Sequence, residues 1–178
     1  MPLGISQKCR AIAPSATLAM DARARELREK GANVISFATG EPDFDTPEPV
    51  RETMKQAMDL GMTHYCPVAG TMELRDAIRT RLEADHGVVY GRDQVIVCNG
   101  AKHALYNAFQ ALLDPGDEVI VDNPCWVSYP EMVRMAGGTP VFLYCPESQG
   151  FLPDMGDLEK LITPRTKAFV LNNPSNPN

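Results

Sequence analysis

The 178-residue sequence has no Cys-x-x-Cys pair, no apolar run long enough to span a bilayer and no excess of positive charge. Each absence excludes a class. The five cysteines, Cys9, Cys66, Cys98, Cys125 and Cys145, are odd in number and widely spaced. That pattern fits neither a disulfide framework nor a zinc site, so reduced thiols and no metal are expected. A membrane helix needs roughly 18 or more consecutive apolar residues, and none is present. Met1–Arg10 carries no apolar h-region, so a cytoplasmic protein is expected. The net charge of −6 gives no basic surface to attract nucleic acid or an anionic membrane. No Gly-x-Gly-x-x-Gly and no Walker sequence occurs, which disfavours a dinucleotide or a nucleoside triphosphate. Tryptophan is scarcest of all, with one copy, Trp126.

What is present is ordinary for a globular protein: 44% hydrophobic and 22% charged residues. Helix alternates with apolar strand from about residue 70 onward. Before that, Thr17–Lys30 reads as a helix closed by Gly31, Thr46 as an N-cap with Pro47 at N1, and Gly61 as the end of the helix that follows. Thr71 opens a helix to about His86, closed by Gly87. Four short apolar strands are expected at Gln94–Cys98, Glu118–Val121, Val141–Tyr144 and Lys167–Leu171. Between them lie helices at Ala101–Leu113, Trp126–Ala136 and Asp157–Ile162. Apolar strands separated by helices imply βαβ crossovers and a parallel sheet covered on both faces. Ligands of such sheets bind at the carboxyl ends of the strands.

Three motifs follow such ends. Asn99-Gly100-Ala101-Lys102-His103 joins a strand to a helix. Unpaired N–H groups and a partial positive charge there suit a phosphate, although one glycine equally serves an ordinary tight turn. In Asn123-Pro124-Cys125-Trp126-Val127-Ser128-Tyr129, the indole can stack on an aromatic ring or simply pack in the core. In Asn172-Asn173-Pro174-Ser175-Asn176-Pro177-Asn178, Asn-Pro steps form a fixed turn that can hold an amide toward a phenolate or carboxylate.

Taken with Pro14-Ser15-Ala16-Thr17, Gly40-Glu41-Pro42-Asp43-Phe44-Asp45-Thr46-Pro47, His64-Tyr65 and Trp126-Val127-Ser128-Tyr129-Pro130-Glu131-Met132, these motifs resemble the class I aminotransferases, bacterial aspartate aminotransferase branch. The resemblance runs over nearly the whole chain. It implies a three-layer α/β/α fold with a mostly parallel sheet, the incomplete large domain of the fold type I pyridoxal-phosphate enzymes. Residues 1–46 would form an N-terminal arm and small-domain segment, and 47–178 the first part of the cofactor-binding domain. It implies pyridoxal 5′-phosphate as cofactor, an amino acid such as aspartate and 2-oxoglutarate as substrates, and a homodimer. The backbone at Gly100, Ala101 and Lys102 would hold the cofactor phosphate and Trp126 would stack on the pyridine ring. Asn176 would bond the 3′ oxygen and approach the substrate carboxylate, and Gly40 would lie against the substrate. Tyr65 would reach the phosphate of the neighbouring subunit's cofactor.

The family's catalytic lysine follows the Asn-Pro segment. None of Lys8, Lys30, Lys55, Lys102, Lys160 and Lys167 stands in its motif. The chain is therefore expected to lack the Schiff-base lysine and to be inactive alone, with the Lys102 side chain in solvent or packed locally. An uncovered strand edge and apolar faces lead to an expectation of self-association. Some relatives carry a lysine before Pro-Ser-Ala-Thr that recognises a second acidic substrate. Ala13 stands there, which disfavours arogenate-type compounds. Two alternatives share the fold: a carbon–sulfur β-lyase and a non-catalytic binding module.

Overall fold

The segment Glu118–Asn123 is the most deeply buried stretch of the chain, with Val119, Ile120 and Val121 all at 1% exposure or less. The computed structural model describes residues 4–38 and 40–176. In chain order its helices are α1 (Gln7–Ala11), α2 (Ala16–Glu29), α3 (Glu48–Asp59), α4 (Met72–His86), α5 (Ala101–Leu112), α6 (Ser128–Met135) and α7 (Met155–Leu161). The strands are β1 (Glu118–Asn123), β2 (Thr139–Tyr144) and β3 (Thr166–Val170). The chain divides into two units, Met1–Thr39 with Lys102–Asn178, and Gly40–Ala101.

In the first unit the sheet has the order β2-β1-β3 with both pairings parallel. Alternation along β1 sorts its side chains to two faces. Val119 and Val121 pack with Phe109, Leu113, Tyr129, Met132 and Val133, from α5, α6 and the turn after α5. Ile120 packs with Leu143 and Cys145, backed by Leu158, Leu161 and Phe169. Helices thus cover both faces of the sheet, the three-layer arrangement expected from the sequence. Gly137, at φ +95°, turns the chain out of α6, and the Gly138 N–H reaches back to the Val133 carbonyl. A Cβ at Gly138 would lie 2.9 Å from Leu113 Cδ1 and 3.2 Å from Val133 Cγ1, so a side chain there would have to displace both.

The amino end of β1 is tied by charge. Glu118, 6% exposed, accepts from the Thr163 hydroxyl at 2.6 Å and from Arg165 Nε at 2.8 Å. The Arg165 backbone carbonyl in turn takes the Glu118 N–H at 2.8 Å. These bonds hold the loop before β3 against the start of β1, where a bulge shifts the register between Glu118 and Val119. The Thr163 hydroxyl, and after it Arg165, hold the Glu118 carboxyl below its usual value of 4.5.

The second unit contains α3 and α4. Thr71 caps α4, its hydroxyl accepting from the Leu74 N–H, and Gly87 closes it in the left-handed region, both as expected. Asp76 binds Arg79 and Arg92, which ties α4 to a 3₁₀ turn at Arg92–Gln94. Gly70 lies at φ +97°, and a Cβ there would stand 2.6 Å from Val97 Cγ2.

Several expectations are corrected. The N-cap of α3 is Pro47 rather than Thr46, so Pro49 falls in the first turn, where a missing N–H costs nothing. The strand expected at Gln94–Cys98 forms no ladder: Gln94 ends the 3₁₀ turn, the Val97 N–H bonds the Ala69 carbonyl, and no strand among the described residues pairs with the segment. An apolar run supplies the side chains for a strand, but only a neighbour supplies the hydrogen bonds. Helix α6 starts at Ser128, two residues later than its apolar pattern suggests, and α7 starts earlier, at Met155, because the Asp154 side chain caps it. The short helix α1, capped by Ser6, was not foreseen; five residues carry too little periodicity to show one.

Two stability outcomes follow. Glu118→Gln removes a carboxylate whose lowered pKa stabilises the fold fully above pH 4.5 and progressively less as pH falls through the lowered value. Melting curves across the acid range should therefore show a shallower acid loss in the variant than in the parent. Gly70→Ala, meeting Val97 at positive φ, should cost about 1–3 kcal/mol in urea unfolding. Gly31→Ala, also at positive φ but in open space, should cost about 1 kcal/mol.

Candidate cofactor site

Helix α5 begins at Ala101, directly after Gly100 at φ +86°. A Cβ on Gly100 would meet nothing within 4 Å, so the glycine is required by its conformation and not by crowding. Its own N–H donates to the Cys98 carbonyl at 2.8 Å. The donors left to face an anion are the N–H groups of Ala101 and Lys102, which as first-turn residues have no intrahelical acceptor. Both residues are exposed. This is a fitting cradle for a phosphate, narrower by one donor than the sequence suggests.

The Lys102 side chain is exposed, as expected, but it also leans on a residue outside its own helix. Its Nζ lies 4.7 Å from the centroid of the Trp126 ring, a cation–π contact. Trp126 is half-buried and is braced by Tyr129, whose ring meets it edge-on at 5.4 Å and 83°. Tyr129, 7% exposed, belongs to the core against β1. The indole is therefore held rigidly from the sheet side, as a stacking platform requires.

Asn176 is exposed in the segment beyond β3, where Asn173-Pro174 is a cis peptide; the second Asn-Pro step, at Pro177, lies outside the described residues. Gly40 and Tyr65 are exposed in the other unit. Of the residues expected to act together, Lys102 and Trp126 are thus in contact within the first unit.

Two features were missed in the sequence. The first is a cavity of about 710 Å³ between Ile12–Ala16 and α6, lined also by Lys102, Asn123 and Cys125. Its wall is tied by Ala13, whose N–H donates to Glu131 Oε2 at 3.3 Å. The Pro14-Ser15-Ala16-Thr17 motif gave the only hint, since no local pattern shows which helix it meets. The second is Asp122, the last residue but one of β1, at its carboxyl end. Its Oδ1 is sealed from solvent with no hydrogen-bond partner. Burial pushes its carboxyl up from 3.8, partly opposed by its own N–H. The thiols of Cys125 and Cys145 and the Tyr129 phenol are raised too, by burial first and by the Asp122 charge in addition.

The sign of the Asp122 effect is opposite to that of Glu118. Between pH 3.8 and its raised value the unfolded chain releases the proton more readily, so stability falls as pH rises through that window and stays lower above it. Asp122→Asn should flatten this slope and raise the thermal midpoint near neutral pH relative to the parent. Paired melts from about pH 4 to about pH 7 check it. Equal slopes would show that water already reaches the carboxyl.

Comparison with known proteins identifies the family. Residues 32–178 match the family model described as aminotransferase class I and II. A probable aspartate/prephenate aminotransferase of Thermus aquaticus is 51% identical over 98% of this chain and 45% of its own length. The aspartate aminotransferase of Geobacillus stearothermophilus is 46% identical, over 97% of this chain and 44% of its own. The solved aspartate aminotransferase from Thermus thermophilus with maleate superposes with a TM-score of 0.95 at 49% identity, covering 99% of this chain and 46% of that one. The chain thus spans a little under half the length of these relatives, and it belongs to the class I and II aminotransferase family.

Proposed function

We propose that the protein of which this chain is part, or the whole, is a pyridoxal-phosphate-dependent aminotransferase that moves an amino group between an amino acid such as aspartate and 2-oxoglutarate. The observation that carries the reading is the pairing of Lys102, in the first turn of α5, with the braced indole of Trp126. A phosphate cradle and a flat stacking platform in one contact are what a phosphorylated aromatic cofactor needs. The names of the relatives, aspartate/prephenate and aspartate aminotransferases, support the reaction class and the aspartate preference.

In this reading the N–H groups of Ala101 and Lys102 bind the cofactor phosphate, with Gly100 setting the turn. Trp126 stacks on the pyridine ring, and Asn176 donates its amide to the 3′ oxygen and stands near the substrate carboxylate. Gly40 presents backbone to the substrate, and Tyr65 reaches the partner subunit's cofactor phosphate in a homodimer. The cofactor, when bound, supplies the electron sink that stabilises negative charge at the substrate α-carbon. The chain's own residues bind, orient and shield. None of Lys8, Lys30, Lys55, Lys102, Lys160 and Lys167 serves as the Schiff-base lysine, so these 178 residues do not transaminate alone. The division at residue 46 into an arm and a cofactor-binding domain belongs to the same reading, as does a cytoplasmic location. Among the described residues no helix is long and apolar enough to cross a membrane.

Pyridoxal phosphate should quench the Trp126 emission on binding, and Trp126→Ala should weaken binding about two- to ten-fold, the worth of an aromatic stack. Borohydride reduction of the complex should leave the chain at 19.5 kDa with no single-site adduct. A stoichiometric pyridoxyl adduct on one lysine would refute the lysine assignment. In an active full protein, formation of glutamate from 2-oxoglutarate supports transamination, whereas pyruvate, ammonia and a thiol from a sulfur amino acid would mark a β-lyase.

A further inference from the structure

Lys102 is exposed, yet its ammonium lies over the flat ring of Trp126. Side chains of an α-helix lean toward its N-terminus. Lys102, second residue of α5, therefore carries its charge to the end where anions bind, and it does so across the Trp126 ring. Among the described residues no carboxylate pairs with Lys102, and the contact its ammonium makes is with the indole. Tyr129 occupies the ring's edge and is fixed in the core, so it is Lys102 that can leave.

We propose that the Lys102 side chain is a removable cover on Trp126, a positioning residue that screens the indole and then pairs with the anionic group of the flat ligand that replaces it. The inference rests on the cofactor reading above and adds to it a role for the side chain, beyond that of the backbone. It makes the cost and the gain separable. A flat ligand without an anion must displace the cover and receives no charge in return. A flat ligand with a phosphate displaces it and is paired by it.

The test uses the chain's single tryptophan as reporter and needs no turnover. Without ligand, iodide should quench Trp126 more strongly in the parent than in Lys102→Gln, by about two-fold, because the cation draws the anion to the ring. Neutral acrylamide should show no such drop. Pyridoxine and pyridoxine 5′-phosphate, neither able to form a Schiff base, are then titrated against the parent and Lys102→Ala. Removing the cover should tighten pyridoxine about two- to five-fold, the worth of an exposed cation–π contact, and weaken the phosphate ester by at least as much. Far-UV circular dichroism confirms that each variant is folded. Equal iodide quenching in parent and Lys102→Gln would overturn the cover whatever the cofactor. Changes of the same sign for both ligands would overturn the exchange of partners. Normal quenching with neither ligand binding to the parent would overturn the cofactor reading, and the ligand-dependent half of the proposal with it.

Discussion

Burial of β1 on both faces is the constraint from which the rest of the first unit follows. A strand with Val119 and Val121 facing one helical layer and Ile120 facing the other must lie in the middle of its sheet, and β2 and β3 take the two places beside it. A central parallel strand is covered on both faces, so its middle side chains are apolar and its polar ones stand at the ends. Glu118 at one end is paired with Thr163 and Arg165 and locks the approach to β3. Asp122 at the other has one carboxyl oxygen, Oδ1, buried without a partner, next to Asn123 and the loop that carries Trp126. The stabilising charge sits at the amino end and the costly one at the carboxyl end, the side on which α/β sheets bind ligands.

That polarity explains the construction of the site. Trp126 can be a rigid platform because Tyr129, three residues further on in the first turn of α6, is anchored in the core against β1. Lys102 can reach it because α5 starts at the level of the indole and lysine is long enough to lean across. The cofactor reading and the cover on the indole both derive from this one contact, between a helix start and a braced ring. The cavity beneath the Ile12–Ala16 segment adds an apolar wall from α6, contributed by the same helix that fixes Tyr129.

Much of this was legible in the residues. Glu118-Val119-Ile120-Val121 reads as a buried strand because no polar residue interrupts it, and Thr71 with Gly87 brackets α4 by capping chemistry alone. The family resemblance named Gly100, Ala101, Lys102 and Trp126 together. Other features were not legible, for definite reasons. Val95–Cys98 has the composition of a strand and finds no ladder, since pairing is decided by whichever segment lies alongside. Thr46 looks a better cap than Pro47, yet the helix begins after the proline, whose fixed φ is already near that of a helical residue. Asp122 looks like any polar residue at a strand end until the packing of Cys125, Cys145 and Tyr129 around it is known.

The residues read in order were enough for the family, the alternation of parallel strand and helix, and the caps and turns set by glycine, proline and short polar side chains. These are local matters, in which the chemistry of a few neighbouring residues decides the outcome. It took the packed chain to put Lys102 on Trp126, to commit the Gly100 N–H to Cys98, and to seal one carboxyl oxygen of Asp122 from water while Glu118 is paired. Each joins or isolates groups through contacts that depend on how helices settle on the sheet, and a side chain's surroundings are not encoded in its own stretch of chain.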